Sequence, residues 1–309
     1  MNLFEYTYDL VRQIPDGMVS SYGEVAKALG DKIAARAVGR MMNQNPDADS
    51  MPCYKIVHSD GRIGGFGLGI EDKIRRLNDV DISIKNGKIV DYEKIFFKDF
   101  KTGYPLKKLR QEQIKLSKKV SLKDGFKNIE TVAGIDVGYP ANDFEEACGA
   151  CVVMDYKTRQ IVEEKTVKAK VFFPYVSTYL TYRELPLIER LIRVLDNKPT
   201  VLMLDGNGVL HPYGFGIASH AGVVLDIPTI GVAKSLLYGS LEDNDVIIDG
   251  ETRGYAFFSS ENIGRPVFVS PGHMVSFKTS LEVVKNLCRY RIPEPLRQAH
   301  ILAKKNILI

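Results

Sequence analysis

Four cysteines in a chain of 309 residues are too few for a disulfide framework, and their scarcity fits a reducing compartment. No apolar run is long enough to cross a bilayer. The N-terminus interleaves acids with aromatics and does not read as a secretory leader, so a cytoplasmic protein with no membrane partner is expected. Cys148-Gly-Ala-Cys151 has C-x-x-C spacing, but no second Cys/His pair follows at zinc spacing and the stretch opens an apolar strand. Buried cysteines fit better than a redox or zinc pair. Internal repeats and a low-complexity linker are also absent. Charge of either sign is in no large excess: the net formal charge of +4 does not mark a strongly basic binder.

What is present suffices for two modules. A chain of 309 residues with 45% hydrophobic content can supply two cores. Residues 1–95 carry 13 basic and 14 acidic side chains, and the remainder 29 against 24. Residues 101–127 hold nine Lys/Arg against two acids, a stretch that either tracks a phosphate backbone or forms a solvated helix face.

Three acids end apolar runs: Asp136 in Val132-Ala-Gly-Ile-Asp136, Glu184 in Thr181-Tyr-Arg-Glu184, and Asp205 in Val201-Leu-Met-Leu-Asp205. Hard oxygen ligands from separated elements suit Mg²⁺, which takes a few carboxylates and keeps positions for a phosphate. Any one of these acids alone is equally read as a helix cap or the start of a turn. Strands are expected at Thr131–Val137, Ala150–Asp155, Ile161–Val171 and Thr200–Asp205, with helices at Thr178–Leu195 and Gly216–Leu225. That order implies an α/β domain with a mixed sheet.

Around these acids the chain reads Gly206-Asn-Gly208-Val-Leu-His211-Pro212, Gly214-Phe-Gly216-Ile-Ala-Ser-His220, Gly231-Val-Ala-Lys234-Ser235 and Ser270-Pro-Gly-His273, after Phe173-Pro-Tyr175 and Tyr182-Arg-Glu184. From about Phe100 onward this string resembles endonuclease V, the nuclease that nicks DNA beside deaminated bases, above all inosine. The resemblance implies a ribonuclease H-like fold and a cut at the second phosphodiester 3′ of deoxyinosine. It implies Mg²⁺ on Asp136, Glu184 and Asp205, with Mn²⁺ as a substitute, and an active-site role for His273. It further implies phosphate contact by Lys234 and a strand-separating wedge at Tyr175, where Ser177 replaces the family's second proline. Gly206, Gly208 and Gly216, with Leu180, His211 and Leu237, would form the pocket for a turned-out base, although Leu180 and Leu237 read almost as well as core residues.

Residues 1–95 carry a second set of motifs: Ser21-Tyr22-Gly-Glu-Val-Ala26, Ala35-Arg36-Ala-Val-Gly39, Pro52-Cys53-Tyr-Lys-Ile-Val57 and Gly64-Gly-Phe66-Gly67. Ser20 or Ser21 can cap a helix from Tyr22 to Leu29, ended by Gly30, and a second helix is expected from Ala34 to Met42 before Asn45-Pro46. An Asn86-Gly87 hairpin follows at 82–100. These residues resemble the active-site half of an O6-alkylguanine-DNA alkyltransferase, which implies a mainly helical, winged helix-turn-helix-like domain. In that family Cys53 would take the alkyl group. Arg36 would fill the gap left by a flipped base, Tyr22 would rotate the nucleotide, Asn45 would lie at the DNA-binding face, and Phe66 and Gly67 would border the base. The sequence departs from the family where the histidine and arginine after the cysteine become Tyr54 and Lys55. The relay glutamate is missing near Leu77-Asn-Asp79-Val80-Asp81. Lys55, Tyr54 or His58 could stabilise the thiolate instead.

The expectation is therefore a 1–95 alkyltransferase-like domain and a 96–309 nuclease domain in one monomeric repair protein. Its partners would be damaged DNA and, in a variant reading, inosine-containing RNA. A non-enzymatic lesion sensor is the alternative for the first module.

Overall fold

The computed structural model describes residues 1–45, 47–140, 146–259 and 264–307. The chain divides into two compact units, Met1–Gln111 with Phe172–Ser177, and Glu112–Val171 with Thr178–Ile309. In the first, helices dominate: α1 (Leu3–Val11), α2 (Tyr22–Leu29), α3 (Ala35–Asn43) and α4 (Ile70–Asn78) surround the short parallel pair β1 (Ser20–Ser21) and β2 (Ile56–Val57). Ser21 caps α2 through Oγ and the Glu24 N–H at 3.2 Å. Gly30 ends it at φ +105°, where a side chain would also meet the Lys107 backbone at 2.7 Å. The expected Asn86-Gly87 turn joins β3 (Ile84–Lys85) to β4 (Lys88–Ile89), with both residues at positive φ.

The first unit extends past residue 95 for a simple reason. Ile95 and Phe97 exchange backbone hydrogen bonds with Val19, at 2.9 and 2.7 Å, and the Gly103 N–H donates to the Tyr6 hydroxyl. The junction falls inside α5 (Pro105–Ser117), between Gln111 and Glu112. The Phe172–Ser177 segment also belongs to the first unit, where the Leu3 N–H donates to the Phe172 carbonyl at 2.9 Å and Phe173 and Val176 are buried.

The second unit is built on β5 (Thr131–Gly138), β6 (Glu146–Asp155), β7 (Ile161–Lys170), α6 (Leu180–Val194), β8 (Val201–Asp205), α7 (Ile217–Leu225), β9 (Thr229–Ala233), β10 (Ser240–Glu242), β11 (Asp245–Ile248), β12 (Glu251–Phe257), β13 (Val267–His273), α8 (Phe277–Leu287) and α9 (Glu294–Ile307). The nine strands form one sheet in the order β10-β11-β12-β13-β9-β8-β5-β6-β7. Only the central β5–β8 and β8–β9 contacts are parallel, so the sheet is mixed, as expected. Alternation of side chains along each strand covers both faces. Ala133, Ile135, Leu202 and Leu204 pack under α6 and α7. Val132, Val201 and Met203 pack under α8 and α9. Cys148 and Cys151 are both free and buried on β6, in agreement with the sequence reading. Gly134 lets β5 press directly on the α9 backbone: a side chain there would lie 2.5 Å from the Leu296 nitrogen. This contact brings the end of β5 beside α9.

Candidate active sites

In the second unit, Asp136 near the end of β5, Asp205 at the end of β8 and Glu184 in the second turn of α6 act on one another electrostatically. Burial, then Asp136, then Asp205, pushes the Glu184 carboxyl up to about 8. The Tyr139 hydroxyl lies 3.4 Å from Glu184, and the Arg183 guanidinium stacks 4.0 Å over the Tyr139 ring. Burial also raises Asp205, against the pull of Lys234, whose Nζ donates to its Oδ2. Lys234 is placed by the run of β9 into the next turn, and Arg291 fixes its carbonyl with a 2.6 Å bond.

A residue not singled out in the sequence completes the group. His300 on α9 lies with Nδ1 2.8 Å from Asp136 Oδ2. The stripe Leu296, Ala299 and Ala303 marks α9 as a helix packed by one face, and His300 flanks that stripe. His273, by contrast, does not join the acids. Its Nδ1 accepts from the Ser121 N–H at 3.2 Å, it pairs with Thr229 across the sheet, and Asp226 is the acid that acts on it.

The glycine loop after Asp205 is held by backbone. Gly208 N–H donates to Ser270 Oγ, Gly216 N–H to the Gly208 carbonyl, and Val209 N–H to the Pro271 carbonyl. A side chain on Gly208 would sit 2.0 Å from the Pro271 oxygen, and one on Gly216 2.2 Å from the Asn207 oxygen. These glycines therefore serve close main-chain packing. Leu180 packs against the core and approaches Gly206, His211 is buried, and Leu237 is exposed. Tyr175 is half exposed in the segment that belongs to the first unit.

Buried carboxylates that repel one another suit a cation of hard-ligand preference. Among the described residues, however, no three His, Cys, Asp or Glu side chains converge closely enough to hold an ion as arranged. Lys234 and His300 instead occupy Asp205 and Asp136. The protonation of Glu184 has a measurable consequence. A carboxyl whose folded pKa is raised stays protonated while the unfolded chain ionises, so stability is lost as pH rises from about 4.5 to about 8. Glu184→Gln removes that loss. By chemical denaturation in chelator, the variant is expected to gain roughly 4 to 5 kcal/mol over wild type at pH 8.5 and little at pH 4; parallel curves would contradict the placement.

In the first unit, Cys53 opens a single 3₁₀ turn after Pro52 and is 4% exposed. It lines a cavity of about 170 Å³ with Tyr22, Gly39, Met42, Asn43, Gly65 and Phe66, and an adjoining one of about 300 Å³ with Asn45, Gly67, Leu68 and Arg76. Asn45 Nδ2 donates to its Sγ at 3.0 Å. Burial raises the thiol pKa; the Asn45 bond and then Lys73 oppose it. Arg36 is exposed on α3. Lys55 turns away from the thiol to Asp16, at 2.7 Å, and to the Ile14 carbonyl. His58 packs on the Tyr22 ring, with centroids 5.6 Å apart. The cation that most strongly favours the ionised form of Cys53 is Lys73.

Carboxylates gathered from two strand ends and a helix with a lysine and a histidine, and a separate unit with a thiol lining a cavity, define a two-module enzyme. The sequence profile of endonuclease V matches residues 114–301, and that of the 6-O-methylguanine DNA methyltransferase DNA-binding domain matches residues 2–81. A bifunctional methyltransferase/endonuclease of Picrophilus torridus is 39% identical over all of this chain and 99% of its own length. A protein of the same description from Thermoplasma volcanium is 37% identical over 99% of this chain and 91% of its own. The crystal structure of human endonuclease V is 33% identical and superposes with a TM-score of 0.60, covering 66% of this chain and 98% of that one. A Ciona intestinalis endonuclease V, solved with a 24mer DNA containing an inosine followed by a ribo-adenosine, is 31% identical with a TM-score of 0.61, over 66% and 98%. The chain belongs to the endonuclease V family, in the form joined to a methyltransferase DNA-binding domain.

Proposed function

We propose that the protein is a bifunctional DNA-repair enzyme that hydrolyses the second phosphodiester 3′ of deoxyinosine in its second unit and moves alkyl groups from O6-alkylguanine to Cys53 in its first. The observation that carries the nuclease reading is the grouping of Asp136, Glu184 and Asp205 with Lys234 and His300. Asp136, Glu184 and Asp205 would hold Mg²⁺ or Mn²⁺ once Lys234 and His300 release Asp205 and Asp136. When bound, such an ion neutralises charge on the phosphate and makes water a stronger acid. Lys234 is free to turn from Asp205 to a phosphate oxygen, as a compact charge on a flexible stem. His300 and Asp136 form a pair able to carry a proton at Nδ1. The neutral, buried His220, held down to about 4 by burial, takes no part as an acid.

For the first unit, α3 carries the exposed Arg36, and its Gly39 and Met42 line the Cys53 cavity with Tyr22 of α2; read as a helix-turn-helix pair, the two helices would offer that cavity to a flipped base. The loss of the usual relay, together with the raised thiol pKa, favours a second reading, a lesion sensor without transfer.

The reading is tested on end-labelled duplex carrying one deoxyinosine, with the cut mapped against size standards; a cut elsewhere would sink it. Tyr175 supplies a sharper contrast. Opening a stacked pair costs a few kcal/mol only in a duplex. Tyr175→Ala is expected to slow duplex nicking by about thirtyfold and single-strand nicking by about threefold or less. Equal losses on both substrates would remove the wedge assignment.

A further inference from the structure

Lys73 is a buried charge that none of these steps uses. It lies on α4 with no solvent exposure, and its Nζ donates to the Ile56 carbonyl at 2.6 Å and the Gly65 carbonyl at 3.3 Å. Ile56 stands three residues beyond Cys53, and Gly65 lines the smaller cavity with the thiol. An ammonium has three donors. Two are spent on these carbonyls, and among the described residues no carboxylate pairs with Lys73. Burying an unpaired cation is costly, and burial accordingly lowers Lys73 to about 8, with Cys53 acting in the opposite sense.

Other groups around the thiol are already satisfied. Arg76, also on α4, is held by Asp72 and Asp49, each at 2.6 Å. Lys55 is bound to Asp16. Tyr22 from α2 carries a phenol, neutral or anionic and never cationic, and its pKa is raised by burial and then by Cys53. Asn45 donates a neutral hydrogen bond.

We propose that Lys73 is the positioning residue that favours the Cys53 thiolate against the pull of burial, its ammonium standing in for the histidine and glutamate that this chain lacks. The inference rests on the alkyl-transfer reading of the first unit. In the step it supports, the Cys53 proton leaves to solvent. The sulfur then bonds to the alkyl carbon as the bond from that carbon to guanine O6 breaks. The electron pair of that bond stays with guanine, which takes up one proton, and Lys73 remains protonated throughout.

The test uses the full chain and needs no DNA. Alkylation of Cys53 by iodoacetamide is followed by peptide mass spectrometry between pH 5 and 10 in wild type, Lys73→Gln and Lys73→Arg. Glutamine keeps a donor for the Ile56 carbonyl and removes the charge. Its rate midpoint is expected to rise by about one pH unit, with about a tenfold loss of rate at pH 7, and arginine is expected to restore much of it. An unchanged midpoint in folded Lys73→Gln overturns the proposal. If that variant does not fold, the reciprocal measurement decides. The Lys73 ammonium, titrated by NMR, is expected to lose its proton at lower pH in Cys53→Ser than in wild type, and identical titrations overturn it. A shifted midpoint in a protein that takes no methyl from O6-methylguanine DNA would refute the transfer reading while leaving the Lys73–Cys53 coupling standing.

Discussion

Asp136→Asn is expected to lower the rate of nicking at deoxyinosine by about a thousandfold or more, equivalent to about 4 kcal/mol of transition-state stabilisation. The side chain is only 11% exposed at the end of a central strand, and it lies 2.8 Å from His300 while repelling Glu184 and Asp205. Asparagine keeps the shape and removes the charge. It should therefore leave the fold intact and even ease the repulsion on Glu184, so loss of activity would reflect chemistry and not unfolding. Glu184→Gln and Asp205→Asn are expected to behave alike. Because the three act as one group, the double variant Asp136→Asn/Asp205→Asn should be little worse than either single one. Single-turnover nicking at saturating Mg²⁺, with binding to inosine DNA followed separately, measures this. Wild-type rate in any of the three would remove that residue from the site.

Asp136 and Asp205 were legible in the sequence because each ends an apolar run near glycine, which is local information; Glu184, after the polar Thr181-Tyr-Arg, carries a weaker local signal. His300 was not legible, since it meets Asp136 only across 164 residues, through the bare backbone contact that Gly134 permits with α9. The same distinction explains Lys55. Adjacency to Cys53 made it a candidate partner for the thiol, but the 3₁₀ turn carries it to Asp16, 39 residues back. Lys73, twenty positions downstream, instead bonds the carbonyl of Gly65, a residue of the thiol's cavity. His273 follows a motif that reads as catalytic, yet its strand turns the ring toward Ser121. Strands β5 to β8 and helices α2, α3, α6 and α7 were readable from capping and alternation. The unit boundary was not, because residues 95–103 are tied to Val19 and α1 by hydrogen bonds that no composition change announces.

Cys53→Ser is expected to abolish alkyl transfer completely while the protein still binds O6-methylguanine DNA. A serine hydroxyl ionises far above any working pH, so it cannot replace a thiolate as the nucleophile toward an alkyl carbon. The surroundings of Cys53 pull in two directions: burial keeps the proton on sulfur, while the Asn45 bond and the Lys73 charge draw it off. A sensor has no use for a thiol held between such groups at the wall of a cavity, whereas transfer needs it there. Incubation with duplex O6-methylguanine followed by mass spectrometry should show one added methyl on the peptide containing Cys53, at one per chain. The modification should be absent in Cys53→Ser and slowed about tenfold or more in Arg36→Ala, since the flipped base then lacks the side chain that fills its gap. Tight lesion binding without any mass change in the wild type would decide for the sensor, and would leave the acids of the second unit as the chain's only catalytic group.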